Sequence, residues 1–191
     1  GLHARVLQDL DLCPVLSAVR WWLVAPVRAV YCVLCRVRNH GDGMNRKAWF
    51  ADVLKRYNRI AIVGGPRAGK TALARLADRH VIHTDDYRTR SWEAVPHAVI
   101  ADIRDLEADS LSRGNRWIIE GVQVARALRK GLEVDVVLVL NEPLEDLTTR
   151  QEGMRKGVMT VLASWFADHK DVPIMQAPPV TDIDKEEAQE S

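Results

Sequence analysis

Eight consecutive residues carry the strongest chemical signal in this chain. Gly64-Gly65-Pro66-Arg67-Ala68-Gly69-Lys70-Thr71 satisfies the spacing G-x-x-x-x-G-K-[ST] at every specified position. A glycine-rich turn lets successive backbone N–H groups point inward around a phosphate, and a following helix adds the partial positive charge of its N-terminus. Lys70 can then reach β- and γ-phosphates, and the Thr71 hydroxyl can hold Mg²⁺. Residues 64–71 are therefore expected to bind a nucleoside triphosphate, with ATP and Mg²⁺ as cofactors.

Two further acidic positions suit phosphoryl chemistry. Thr84-Asp85-Asp86-Tyr87 falls where a second strand should stop. A carboxylate there can accept a proton from an alcohol placed in line with the γ-phosphate. Successive side chains diverge, so Asp85, nearer the strand end, is expected as the base. Asp86, Tyr87 and Arg88 are expected to bind the acceptor, with Arg90 and Trp92 as further walls. Glu120 follows Trp-Ile-Ile at the end of a third apolar run, a position from which a carboxylate holds Mg²⁺ directly or through water.

The elements that must position these groups follow from periodicity. Trp49, Phe50, Val53, Leu54 and Tyr57 recur at helical spacing within 45–58. Short apolar runs predict strands at 59–65, 80–84, 116–121 and 134–140. Helices are expected over 68–79 (Leu73, Leu76 and Ala77 inward), 92–113, 122–129, 143–156 from an N1 proline, and 158–169. A fifth strand has one candidate, 172–176, weakened by Pro173. Alternating strands and helices give an α/β fold with a mostly parallel sheet of four or five strands, covered on both faces.

With the elements placed, the combination of Gly-Gly-Pro-Arg-Ala-Gly-Lys-Thr, Thr-Asp-Asp-Tyr and Ile-Ile-Glu-Gly-Val resembles the P-loop kinases that include uridine kinase, phosphoribulokinase and related small-molecule kinases. The resemblance spans about residues 59–157. It implies the three-layer α/β/α P-loop NTPase fold and transfer of the γ-phosphoryl group of ATP to an alcohol on a nucleoside, sugar or similar small molecule. It also implies a mobile lid after the fourth strand, whose arginines here would be Arg150 and Arg155, beside Lys156. Those arginines would act catalytically with Lys70 and Asp85. Two alternatives stay open: a nucleic-acid kinase, for which Arg88, Arg90, Arg126, Arg129 and Lys130 offer a local basic patch, and a non-catalytic nucleotide-binding module. An Asn-Lys-x-Asp guanine-reading element is absent, which argues against a GTPase.

Composition sets the outer limits. The chain has 191 residues, 27 basic and 26 acidic, for a net charge of +1, so no global basic field advertises nucleic acid or anionic membrane. Uncharged runs near the N-terminus fall well short of the ~20 residues of a membrane span. Residues 1–43 hold all three cysteines, lack Glu and Lys, and show no clean period. They read as an extension foreign to the fold, with Met44 a candidate start. Cys32-Val-Leu-Cys35 has half the spacing of a zinc site and no second pair, so two incidental thiols are expected there. A core without cysteine needs no oxidising compartment, which points to the cytoplasm. Residues 44–177 form the expected kinase domain, and the acidic, proline-led tail 178–191 is expected to be disordered.

Overall fold

The computed structural model describes residues 45–87, 89–109, 115–140 and 142–179, which all belong to one compact unit. The extension 1–43 with its Cys-x-x-Cys, Arg88, and nearly all of the acidic tail lie outside the described residues. Helix α1 (Arg46–Arg56) opens at Asn45, whose side chain accepts the Ala48 N–H at 3.0 Å. It buries Trp49, Phe50 and Val53, neighbours on one helical face. The chain then alternates: β1 (Arg59–Gly64), α2 (Lys70–Arg75), β2 (His80–His83), a 3₁₀ turn (Thr84–Tyr87), α3 (Val95–Asp109) and β3 (Trp117–Glu120). It continues through α4 (Val124–Arg129), β4 (Val136–Leu140), α5 (Thr149–Asp168) and β5 (Ile174–Gln176).

The five strands pair in the order β2-β3-β1-β4-β5, and every pairing is parallel. Because side chains alternate across a strand, β1 sends Ile60 and Ile62 to one face and Ala61 and Val63 to the other. On the first face these residues meet Trp49, Phe50, Leu73 and Ala74 of α1 and α2. On the second they meet Val99 and Ile103 of α3, Ala127 and Leu128 of α4, and Leu162 and Trp165 of α5. Helices thus cover both faces of the sheet. Each fully buried aliphatic side chain contributes about 1.5–3 kcal/mol, far more than helix propensity can supply to a six-residue helix such as α2. Packing of Leu73 and Ala74 therefore holds α2 in place. Among the described residues, no helix is long and apolar enough to cross a membrane.

Several expected elements are revised. The helix after the glycine loop spans six residues, Lys70–Arg75, and Leu76, expected inward, is 48% exposed, its place taken by Ala74. Helix α3 begins at Val95, after a turn at 92–94. The two helices expected over 143–156 and 158–169 are one, α5, and Pro143 lies in the loop before it. The start is decided by a capping box: Thr148 Oγ1 accepts the Gln151 N–H at 3.3 Å, and Gln151 Oε1 accepts the Thr148 N–H at 2.9 Å. The weakened fifth strand does form. Pro173 stands just outside it and contributes only its carbonyl, which accepts the Val137 N–H at 3.0 Å.

One carboxylate fastens the amino ends of β1 and β4. Asp135 Oδ2 accepts the Asn58 and Arg59 N–H groups at 3.0 and 2.8 Å, and its Oδ1 accepts Arg59 Nε at 3.0 Å. Burial alone would raise the Asp135 pKa; the hydrogen bonds from Arg59 and Asn58 outweigh it and leave the group below its ordinary value. A depressed carboxylate stabilises the fold above its unfolded pKa and loses that contribution as pH falls through the folded one. Replacing Asp135 by Asn should cost about 1.5–3 kcal/mol near neutrality, the range of a hydrogen bond to a charged group. In denaturant titrations the difference from wild type should shrink as pH falls below about 4; a difference independent of pH would remove the ionised carboxylate from the clamp.

Candidate functional site

The connection leaving β1 runs toward the β2 edge of the sheet, whereas the one leaving β4 runs toward β5. Connections that diverge from adjacent strands open a crevice at their carboxyl ends. The 64–71 loop fills that position. Its backbone turns through two left-handed residues, Arg67 at φ 56° and Gly69 at φ 77°. Glycine takes this conformation freely, while Arg67 carries strain. That strain is held from outside: the Arg67 carbonyl accepts the Leu144 N–H at 2.8 Å, and its guanidinium pairs with Glu145.

Gly65 is required for a different reason. A Cβ there would come within 2.6 Å of Cγ of Arg155, so the aliphatic stem of this α5 arginine lies directly on the loop. The Arg155 guanidinium meets Glu152 at 2.9 Å through Nε and 2.8 Å through Nη2. This bidentate pairing orients the guanidinium beside the loop.

Lys70 and Thr71 open α2. Lys70 is 8% exposed and its Nζ donates to the Gly65 carbonyl at 2.6 Å. Burial holds its pKa below the ordinary lysine value, against the opposing charges of Glu120 and Asp85. Glu120 and Asp85, two of the three acidic residues singled out from the sequence, thus favour the charged form of this ammonium. Thr71 is exposed, and its hydroxyl donates to Glu120 Oε1 at 2.9 Å. The same oxygen lies 2.7 Å from His83 Nδ1. Glu120 itself is 3% exposed, and a carboxylate so buried needs such partners.

The expected site residues sort clearly. Gly64, Gly65, Ala68 and Lys70 are buried, Pro66 and Gly69 half-buried, and Arg67 and Thr71 exposed along one loop. Lys70, Thr71 and Glu120 converge, with Asp85 close enough to act on Lys70. Arg155 reaches the loop, whereas Arg150 stands exposed on the first turn of α5. Asp85 and Asp86 are exposed on the 3₁₀ turn. Tyr87 packs against the core, and its hydroxyl donates to Asp102 of α3. Burial and then that bond raise its pKa, so it is a neutral donor at physiological pH.

Sequence reasoning missed His83, Glu152 and the 142–147 segment. His83 gave no local signal, because its partner arrives only through the β2–β3 register, which sets His83 opposite Glu120. A depression of about 590 Å³ beside the loop is lined by 142–147, Glu152 and Arg155. Its four carboxylates, Glu142, Glu145, Asp146 and Glu152, make it a poor place for an anion.

The donor set at Thr71 and Glu120 suits a hard divalent cation: two oxygens 2.9 Å apart, one of them anionic. Among the described residues no group of three or more His, Cys, Asp or Glu side chains is placed to hold a metal. A cation here would thus complete its shell with water and phosphate oxygens, as Mg²⁺ does beside a nucleotide. No protein-family model matches this chain, and no curated protein matches it.

Because His83 fixes the carboxylate that Thr71 also holds, its loss should loosen Glu120 without touching the loop. His83→Ala should weaken Mg²⁺-dependent nucleotide binding by roughly 10–100-fold, the range for outer-shell partners of metal ligands. Affinity for the nucleotide without Mg²⁺ should stay within a fewfold. Equal losses in calorimetric titrations with and without Mg²⁺ would instead make His83 a general support of the fold.

Proposed function

We propose that this chain is an ATP- and Mg²⁺-dependent phosphotransferase of the P-loop kinase type, acting on the alcohol of a small molecule. The observation that carries this reading is the placement at one sheet edge of a buried lysine, a threonine hydroxyl bonded to a buried carboxylate, and the exposed carboxylate of Asp85 on the turn after β2. A carboxylate at that position is what separates a phosphotransferase from a loop that only binds phosphate, because transfer to an alcohol needs a proton acceptor.

In this reaction the acceptor oxygen forms a bond to the γ-phosphorus while the β–γ bridging P–O bond breaks and ADP leaves. The acceptor's proton passes to Asp85. Lys70 exchanges the Gly65 carbonyl for phosphate oxygens, which offer the buried ammonium full negative charge. Thr71 and, through water, Glu120 are the residues that would hold Mg²⁺, which neutralises phosphate charge when bound. Arg155, oriented by Glu152 with its stem on Gly65, supplies positive charge where it grows during transfer. Arg150, one to two turns earlier on α5, would approach on closure over the nucleotide.

The lysine and the aspartate separate binding from chemistry. Lys70→Ala should lower Mg·ATP affinity or turnover by about tenfold or more while the protein remains folded. Asp85→Asn should keep ATP affinity within a fewfold yet cost about 10²–10⁴ in transfer rate, the usual contribution of a general base. ATP consumption screened against nucleosides, sugars and other small alcohols supplies the assay. If Asp85→Asn leaves transfer to every productive acceptor unchanged, the base assignment fails. If Lys70→Ala changes neither the ATP titration nor turnover, Lys70 is removed from the site.

Arg155→Ala should lower kcat more than it raises KM for ATP, by about tenfold or more, because charge develops only as the phosphoryl group moves. A change confined to thermal stability would reduce Arg155 to packing on Gly65.

A further inference from the structure

Two buried side-chain atoms among the described residues lack a hydrogen-bond partner, Thr84 Oγ1 and Gln123 Oε1. Both stand on the same stretch of the carboxyl edge. Thr84 directly follows β2 and precedes Asp85, and its hydroxyl packs against Gly121; Gln123 lies three residues past Glu120. Their residues are only 3% and 2% exposed. Leaving a buried acceptor unfilled is unfavourable, and such atoms in a folded protein call for an explanation.

Gln123 is the more informative of the two. Its Nε2 donates to the Trp92 carbonyl at 3.2 Å, which fixes the amide orientation, since a carbonyl can only accept. The unfilled atom is therefore an acceptor, and it wants an N–H or O–H. Trp92, tied to Gln123 by that bond, is itself 48% exposed, unusual for an indole. Its ring lies 5.2 Å from the Arg126 guanidinium, a cation–π arrangement that steadies an aromatic face at the surface. A buried acceptor whose amide is tied to the backbone of a braced, half-exposed tryptophan matches a planar ring that carries a hydrogen-bond donor. An aliphatic polyol would leave the indole unused.

We propose that the acceptor alcohol is borne on a heterocyclic or aromatic ring. The ring stacks on Trp92 and its N–H or O–H donates to Gln123 Oε1, so that the reacting hydroxyl lies toward Asp85. Gln123 is then a specificity-determining residue, and because its Oε1 is buried, the half-exposed Trp92 side chain shifts to admit the ring. The inference rests on the phosphotransferase reading above and narrows its substrate class, choosing ring-bearing alcohols over sugars.

The test uses the full chain saturated with Mg²⁺ and a non-hydrolysable ATP analogue, so that the nucleotide site is filled. Calorimetric titration with the five common nucleosides and pyridoxine is compared with ribose and glycerol. At least one ring probe should bind, and the form of that probe with its ring donor methylated should bind wild type about tenfold more weakly or worse, as expected for an unpaired buried acceptor. Gln123→Met removes the acceptor at similar volume; it should weaken the parent probe by about tenfold or more and abolish the difference between parent and methylated probe. Trp92→Ala should weaken the ring probe by about tenfold through lost stacking, with affinity for the ATP analogue unchanged. Because the methylated probe is read on wild-type protein, the result stands even if Gln123→Met does not fold.

Equal affinity for parent and methylated probes, or failure of every ring probe at millimolar concentration, would overturn the proposal. If ribose or glycerol then consumes ATP, the phosphotransferase reading survives without the ring site. If the ATP analogue itself does not bind, the phosphotransferase reading falls and the ring site falls with it.

Discussion

A single buried carboxylate sets the terms for the carboxyl edge of this sheet. Glu120 is 3% exposed, and one of its oxygens is shared by the Thr71 hydroxyl and His83 Nδ1. An ionised carboxylate removed from water without donors is strongly unfavourable, so both must arrive together. Thr71 comes from the helix after β1 and His83 from the end of β2, on opposite sides of β3 in the sheet. The parallel register brings them there: Ile62 and His83 both stand opposite Glu120, and β1 runs on two residues to the loop that carries Thr71. The sheet topology and the polar cluster at its edge are thus one constraint seen from two sides.

The loop above that edge depends on its surroundings in the same way. A left-handed Arg67 is a conformation that most side chains avoid, at about 1–3 kcal/mol. Helix α2 is too short to impose it, so the hold comes from the 142–147 segment through Leu144 and Glu145. The other side is closed by Arg155 on Gly65. Segments far apart in sequence therefore shape a turn that looks self-contained when read as eight letters. A glycine at 69 follows from local φ, but a glycine at 65 follows from a helix ninety residues away.

That difference explains how much was legible beforehand. Strand β4, the 64–71 loop and the convergence of Lys70, Thr71 and Glu120 could be read because each rests on a local pattern: an unbroken apolar run, a fixed spacing, an acid at a strand end. Pro143 marks a helix start in the sequence, but the Thr148–Gln151 capping box, with two reciprocal bonds, sets the start of the single helix α5. A Cβ at Gly153 or Gly157 would stand in open space, so packing requires neither glycine, and the helix runs through both. Pro173 argued against a strand that needs only three residues and begins one position later. His83 and Gln123 were invisible for a deeper reason. The partner of His83 depends on which strand lies beside which, and that of Gln123 on where the 92–94 turn packs; a single sequence spells out neither.

The electrostatics of the edge favour exchange of partners over rigid holding. Lys70 is buried and paired with a neutral carbonyl, which leaves its charge poorly compensated despite Glu120 and Asp85; its lowered pKa expresses that deficit. Arg155 differs, since Glu152 already compensates it in a bidentate pair. In the proposed reaction an arriving triphosphate therefore gains most from Lys70, whose present partner is the weaker one, and must compete with a carboxylate for Arg155. Lysine would engage in the ground state, and the arginine would be drawn across only when charge accumulates on the transferring group. Such an order places the lysine in binding and the arginine in the transition state, which is where each contributes to rate.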